Sequence, residues 1–325
     1  MCIRDRYDTN DSGGVDEKPR RVVLGSDGTV YVAGLNTLRK KGPSDSTFSK
    51  IKYKKDGFNY NICQSCGTLF CNPRPSLETL NSFYKNSSSA KFWFEEFLPK
   101  VEESRREKIF KKKAIQLFEL IDEKKVNISN ICDVGAGSGI FIEEMKKIRN
   151  DISYFAIEPG EVSSKIISNK GIPVLQKSVE HSKEWFNRFD FVVSLEVLEH
   201  VNKPIDFVKS INNLLKKEGY CLITTLGYEG FDILTLGEDS NSISPPHHLN
   251  FLSVRGFELL FKRAGFSEVH VMTPGVLDVD IVLNSDKNTE FLRILKLRGD
   301  SVIKEFQEFL IKSKLSSHVW ILAKK

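Results

Sequence analysis

No stretch of this 325-residue chain approaches the roughly 18 consecutive apolar residues of a membrane-spanning helix. The opening MCIRDRYDTND lacks the apolar core of a signal peptide. With 21 glycines and 11 prolines the chain is neither collagen-like nor of low complexity, and 40% hydrophobic residues is too many for a wholly disordered one. Six cysteines over this length make no disulfide scaffold. Positive charge is barely in excess. Lys plus Arg is 48 against 43 Asp plus Glu, and the resulting +5 is no argument by itself for a nucleic-acid partner. These absences leave a cytoplasmic α/β enzyme of a reducing compartment, about two domains long at roughly 150 residues each, able to bury a core without staples.

Residues 1–21 are polar and rich in Gly and Asp, which predicts disorder. MCIRDR also looks like a translated sequencing adapter, in which case Cys2 is not native. Residues 22–33, VVLGSDGTVYVA, read as a hairpin around a Ser-Asp-Gly turn. Segment 1–50 is expected to be poorly ordered apart from that hairpin. Lysines cluster at Arg39–Lys41 and Lys50–Lys55, ahead of a cysteine-bearing segment, 51–99. A domain over 100–325 follows. Its first helix, 100–125, places Phe110, Ala114, Leu117, Phe118 and Ile121 on one side, and RREKIFKKK (105–113) reads as its solvated face or as a basic patch for an anion.

From residue 130 strands and helices alternate. Strands are expected at Asn130–Val134, Tyr154–Ile157, Val174–Leu175, Phe189–Leu195, Gly219–Leu226, Val269–Met272 and His318–Leu322. Helices are expected at Ile140–Ile148, Val162–Asn169, Ile205–Leu215, Ser253–Ala264 and over most of Thr289–Ser313. This is the rhythm of a mostly parallel sheet with helices on both faces. The segment 227–250 is too long for a plain connection and reads as a substrate cover, with Tyr228 and Phe231.

The most informative motif is Asp133-x-Gly135-x-Gly137-x-Gly139. An apolar strand enters it and a helix leaves it, so it lies at the carboxyl end of a strand, where open α/β sheets bind ligands. Glycines permit the tight turn and the close approach of a ligand to backbone. A dinucleotide fold wants G-x-G-x-x-G, but here the third glycine falls one residue early, with Ile140 at the expected place. Asp133 is awkward beside a pyrophosphate and suits a cationic ligand. Glu158 ends the next strand, nineteen residues after Gly139, where a carboxylate can accept both hydrogen bonds of a ribose diol. An NAD-dependent oxidoreductase uses the same device, so Glu158 does not separate the two classes.

The loop resembles the S-adenosylmethionine loop of class I methyltransferases. FDFVVSLEVLEHV (189–201) resembles their fourth strand and following turn, closest to the small-molecule subgroup that includes ubiquinone-pathway O-methyltransferases. PHHLNF (246–251) and the helix ending RAGF (263–266) are similar to the same subgroup. The resemblance covers about residues 105–325. It implies a Rossmann-like seven-stranded sheet with an antiparallel last strand, and donor contacts from Asp133, Gly135, Gly137, Gly139, Glu158, Leu195 and Val179 within Ser178–Glu180. It further implies methyl transfer from S-adenosyl-L-methionine to a small-molecule acceptor, such as a sugar or nucleotide sugar. A fold retained for binding without turnover is the other alternative.

Beyond the fourth strand, Glu196, Glu199 and His200 share one face at helical spacing, with His247 and His248 beyond the fifth. Three roles are open. Glu199 and His200 hold the loops, or one of His200, His247 and His248 is a general base, or Glu196, Glu199 and His200 hold a divalent metal with one of His247 and His248, of which His248 is preferred. Carboxylate-rich ligation with imidazole suits Mg²⁺ or Mn²⁺, and small-RNA 2′-O-methyltransferases show a similar Glu-x-x-Glu-His arrangement.

C-x-x-C-G at Cys63–Gly67, with Cys71 and NPRP (72–75) following, resembles the zinc ribbon that precedes many bacterial methyltransferases. A structural Zn²⁺ site needs four ligands. Cys63, Cys66 and Cys71 supply three, so a metal-bound knuckle, a degenerate ribbon with free thiols and a redox pair all stay open. Cys132 and Cys221 fall within apolar strands and read as core thiols.

Overall fold

The computed structural model describes residues 22–24, 30–32, 49–86 and 98–325. Strands β1 (Val22–Leu24) and β2 (Val30–Val32) pair antiparallel, as a hairpin requires. Its Ser26-Asp27-Gly28 turn, the expected disorder of 1–21 and the lysines at 39–41 lie outside the described residues. Next come β3 (Ser49–Lys55), β4 (Phe58–Cys63) and β5 (Leu69–Cys71), an antiparallel sheet completed from far along the chain by β11 (Asn250–Phe251). The segment with the cysteine motif therefore shares a sheet with residues just after the two histidines.

The central sheet contains β6 (Asn130–Val134), β7 (Ser153–Ile157), β8 (Val174–Leu175), β9 (Phe189–Leu195), β10 (Leu215–Leu226), β12 (Glu268–Met272) and β13 (His318–Lys324), in the order β12-β13-β10-β9-β6-β7-β8. All neighbours from β10 to β8 run parallel, and β13 is antiparallel to both β10 and β12. The near-continuous apolar runs of β6 and β9 follow from this position, because inner parallel strands are covered on both faces. On one face Phe207, Val208 and Ile211 of the helix Pro204–Leu214 pack with Phe257, Leu260 and Phe261 of the helix Val254–Arg263. On the other, Leu117, Phe118, Phe141, Met145 and Ile167 come from the helices Lys111–Glu123, Ile140–Ile148 and Glu161–Asn169. Each fully buried side chain of this kind contributes about 1.5–3 kcal/mol. Ser253 caps Val254–Arg263 by accepting from Gly256 N, as the sequence suggests.

Several elements differ from expectation. The first helix is interrupted by a π turn, Arg106–Phe110, between Leu98–Arg105 and Lys111–Glu123. The wider turn shifts the phase of the basic run. Arg106 then meets Glu143 and Glu144, both at 2.8 Å, and Lys113 reaches Glu196, so the run is not simply a solvated face. The 227–250 segment contains the helix Phe231–Leu236. Tyr228 is buried with Tyr60 and Phe251, and Phe231 packs edge-on against Phe306. These two aromatics are core groups rather than an open cover. Thr289–Ser313 divides at Gly299, which has φ +84°, into Glu290–Arg298 and Asp300–Lys312. The short helix Asp278–Leu283 and the two-residue β11 are too brief to carry a periodic signal.

Candidate active site

At the tip of β6 the chain makes three left-handed glycines, Gly135 (φ +77°), Gly137 (φ +56°) and Gly139 (φ +79°). A Cβ on Gly135 would fall 2.5 Å from Val197 Cγ2, and one on Gly139 would fall 3.2 Å from Ile167 Cγ1, so both are held close by packing. A Cβ on Gly137 would meet nothing within 4 Å. That open side of the loop is where a ligand can lie against backbone. Glu158, at the tip of β7, turns toward the loop and accepts from Gly137 N at 2.9 Å and Gly160 N at 2.8 Å. Burial raises its pKa against these two hydrogen bonds. Asp133 is buried, and its Oδ1 has no hydrogen-bond partner among the described residues. Burial, then the Glu158 charge, pushes it up to about 8. A buried orphan carboxyl oxygen, an open glycine and a second carboxylate fit a ligand that carries both a cation and a ribose diol, as S-adenosylmethionine does. Leu195 is half-buried against the core, and Val179 is buried in the core beside Trp185.

β9 runs into the second group. Glu196 adopts a left-handed φ of +53°, rare for a residue with a Cβ and costing about 1–3 kcal/mol. Its carboxylate accepts from Lys113 Nζ at 2.7 Å and Thr224 Oγ1 at 2.8 Å. Burial opposes its charge, but Lys113 and His318 overcome that and hold it ionised. Glu199 is 1% exposed and accepts from Thr225 Oγ1 at 2.6 Å. Burial and the nearby Glu196 charge raise its pKa.

His200 and His248 meet edge to face, with centroids 4.8 Å apart. His200 Nδ1 lies 2.9 Å from the His247 carbonyl and His248 Nδ1 lies 2.6 Å from the Ser242 carbonyl. A carbonyl only accepts, so each Nδ1 carries the proton and each Nε2 keeps a free lone pair. Burial, then His248, pushes His200 down to about 3 against that hydrogen bond, and burial also lowers His248. Glu199, His200 and His248 each offer a ligand atom within 4.8 Å of the others, and among the described residues they are the one such trio.

Of the four suggested ligands, then, the fold brings three together and engages Glu196 with Lys113. His247 packs its ring edge-on against Phe83 and supplies its carbonyl to His200. Cys66 Sγ lies 3.2 Å from Thr68 Oγ1, Cys71 Sγ lies 3.5 Å from the Pro73 carbonyl, and burial pushes the Cys71 thiol up to about 12. A structural zinc needs four ligands, and among the described residues no trio of candidate ligand atoms within 4.8 Å of one another includes a cysteine. Lys113 is the site group that the sequence pattern missed, because its partner is far away in the chain.

The strand order, the glycine loop on β6 and the carboxylate on β7 define a class I S-adenosylmethionine-dependent methyltransferase fold. Residues 97–271, more than half of the chain, match the family model described as a methyltransferase domain, and the chain belongs to that family. Among curated relatives, the ubiquinone biosynthesis O-methyltransferase of Proteus mirabilis is 36% identical over 101 residues, 30% of this chain and 41% of that protein. The tRNA U34 carboxymethyltransferase of Pseudomonas aeruginosa is 26% identical over 175 residues, 51% of this chain and 52% of that protein. The chain thus spans about half the length, or less, of these relatives. Two solved structures share the fold. A SAM-dependent methyltransferase from Archaeoglobus fulgidus has a TM-score of 0.50 at 18% identity, covering 71% of this chain and all of that one. The plantazolicin methyltransferase in complex with SAH has a TM-score of 0.51 at 13% identity, covering 76% and 94%. Among the described residues no helix is long and apolar enough to cross a membrane.

Proposed function

We propose that the protein transfers a methyl group from S-adenosylmethionine to a hydroxyl of a small-molecule acceptor, a sugar or nucleotide sugar being one such class, with a divalent cation, Mg²⁺ or Mn²⁺, at Glu199, His200 and His248. The observation that carries the cation is the tautomer of the two histidines. Metal-binding imidazoles commonly donate their second nitrogen to a carbonyl or carboxylate, and both do so here. A general base needs a pKa near working pH, and burial works against this by lowering all three imidazoles. The donor supplies a methyl group already activated on a sulfonium. A cation, when bound, supplies Lewis acidity that lowers the pKa of a hydroxyl. The chain's own groups bind and orient. Glu158 takes the ribose diol, the open face of Gly137 admits the donor to backbone, and Asp133 lies beneath with its unpartnered oxygen. An O-linked acceptor is also what the name of the Proteus relative describes for that protein. A nucleic-acid acceptor is less favoured, because Arg106 and Lys113 of the basic run are tied to Glu143, Glu144 and Glu196.

The deciding experiment is label transfer from methyl-labelled donor to a panel of hydroxylated small molecules. EDTA is expected to stop transfer, and Mg²⁺ or Mn²⁺ to restore it. Transfer that proceeds in full under EDTA removes the cation from the proposal. For the donor, Glu158→Ala is expected to weaken S-adenosylhomocysteine binding by about 1.5–3 kcal/mol, the worth of hydrogen bonds to a charged group. Unchanged affinity in calorimetry would count against Glu158.

A further inference from the structure

The cysteine-bearing sheet takes no part in the chemistry above, yet its contacts run to one place. Tyr60 on β4 is fully buried, and its hydroxyl donates to the His248 carbonyl at 2.6 Å. Cys71 N donates to the Leu249 carbonyl at 2.9 Å. Asn250 and Phe251 pair with Phe70 and Leu69. The Phe251 ring lies edge-on to both Tyr60, at 6.2 Å, and His248, at 6.1 Å. Phe83, in the helix after β5, sets its ring against His247.

From the other side, the turn that carries Glu199 and His200 holds the same residues. Leu249 N donates to the Glu199 carbonyl at 2.7 Å, and Asn250 Nδ2 donates to the carbonyls of Leu198 and Val201 at 3.1 and 2.8 Å. The backbone of 247–250 is thus clamped between the tip of β9 and the N-terminal sheet. His248 stands at the centre of that clamp. Its side-chain Nδ1 is fixed by Ser242, but its own backbone carbonyl is fixed by Tyr60.

We infer that Tyr60 is a positioning residue for the cation site, and that the N-terminal sheet is the outer wall which sets His248 relative to Glu199 and His200. This rests on the reading that the trio holds a cation. The physical reason is tolerance. Three ligands drawn from two chain segments must be held within about 0.5 Å of productive geometry, and two of these three are on one turn while the third is 48 residues away. Contacts to the 247–250 backbone carry much of that register, and Tyr60 supplies the one side-chain donor to the His248 carbonyl among the described residues. The sheet's role is then geometric, and it calls on none of Cys63, Cys66 and Cys71 as a ligand.

The test is a Mn²⁺ titration of the full chain, followed by the electron paramagnetic resonance of free Mn²⁺, with S-adenosylhomocysteine affinity measured on the same samples. Tyr60→Phe keeps the buried ring and loses only the hydroxyl. It is expected to weaken Mn²⁺ binding about 10- to 100-fold, the usual size of a lost partner behind a metal ligand, and to leave S-adenosylhomocysteine affinity unchanged. Phe83→Leu loosens the same wall through His247 and is expected to move Mn²⁺ affinity the same way, by less. If both variants bind Mn²⁺ as the unaltered chain does, the inference is overturned while the cation reading stands. If the unaltered chain binds no Mn²⁺, both are overturned.

Discussion

Replacing His200 by alanine is expected to lower turnover per folded molecule by about 10²-fold or more, with donor affinity barely changed. A cation that polarises the acceptor oxygen is worth several kcal/mol in the transition state, and each 1.36 kcal/mol is tenfold in rate. In the proposed site His200 is one of three ligand groups, with its Nδ1 already engaged by the His247 carbonyl. The proposed donor loop follows β6, with Gly137 N on Glu158 and Gly135 N on the Ile157 carbonyl, and none of these bonds involves the His200 side chain. Added Mn²⁺ at high concentration is expected to recover part of the rate, because weakened binding is overcome by mass action. The competing account, in which His200 only ties the 247–250 segment through the His247 carbonyl, makes a different forecast. Thermal stability would fall while specific activity of the folded fraction stayed whole.

Gly137→Val is expected to abolish donor binding while the protein still folds. At φ +56° a β-branched residue is strained, by about 1–3 kcal/mol. Strain alone lowers stability without touching affinity. The loss of binding comes instead from the open side of the loop, where a Cβ would meet no protein atom within 4 Å and would occupy the donor's approach to backbone. Gly57→Val is the matched control. Gly57 has φ +80° and equally open space, but lies in the turn between β3 and β4. Both variants should lose comparable stability in a thermal melt, and only Gly137→Val should lose S-adenosylhomocysteine binding in calorimetry. Binding retained by Gly137→Val would mean that the loop is not the donor site.

What could be read from the sequence was local. Asp133 to Gly139 and Glu158 lie on consecutive β–α units, and both strand and turn are specified by neighbouring residues. The apolar runs of β6, β9 and β10 likewise mark inner strands of a parallel sheet. The remainder depended on long-range pairing. Lys113 meets Glu196 across 83 positions, from the helix that follows a π turn no local pattern announces. Spacing within Glu196–His200 put three groups on one helical face, but Glu196 follows the strand in a left-handed turn and leaves the face. Tyr60 reaches His248 across 188 positions, through a two-residue strand that no periodic pattern announces. The C-x-x-C-G spacing is common to a zinc knuckle and to a plain β-turn. Gly67 N donates to the Cys63 carbonyl at 2.9 Å and closes that turn, a bond both readings allow.

Diffraction from crystals grown with S-adenosylhomocysteine and Mn²⁺, with data collected for manganese anomalous scattering, tests the central claim most directly. The expected map has the ribose of S-adenosylhomocysteine on Glu158 and a single anomalous peak shared by the Glu199 carboxylate, His200 Nε2 and His248 Nε2. A map with S-adenosylhomocysteine in place and no manganese at that trio would contradict it.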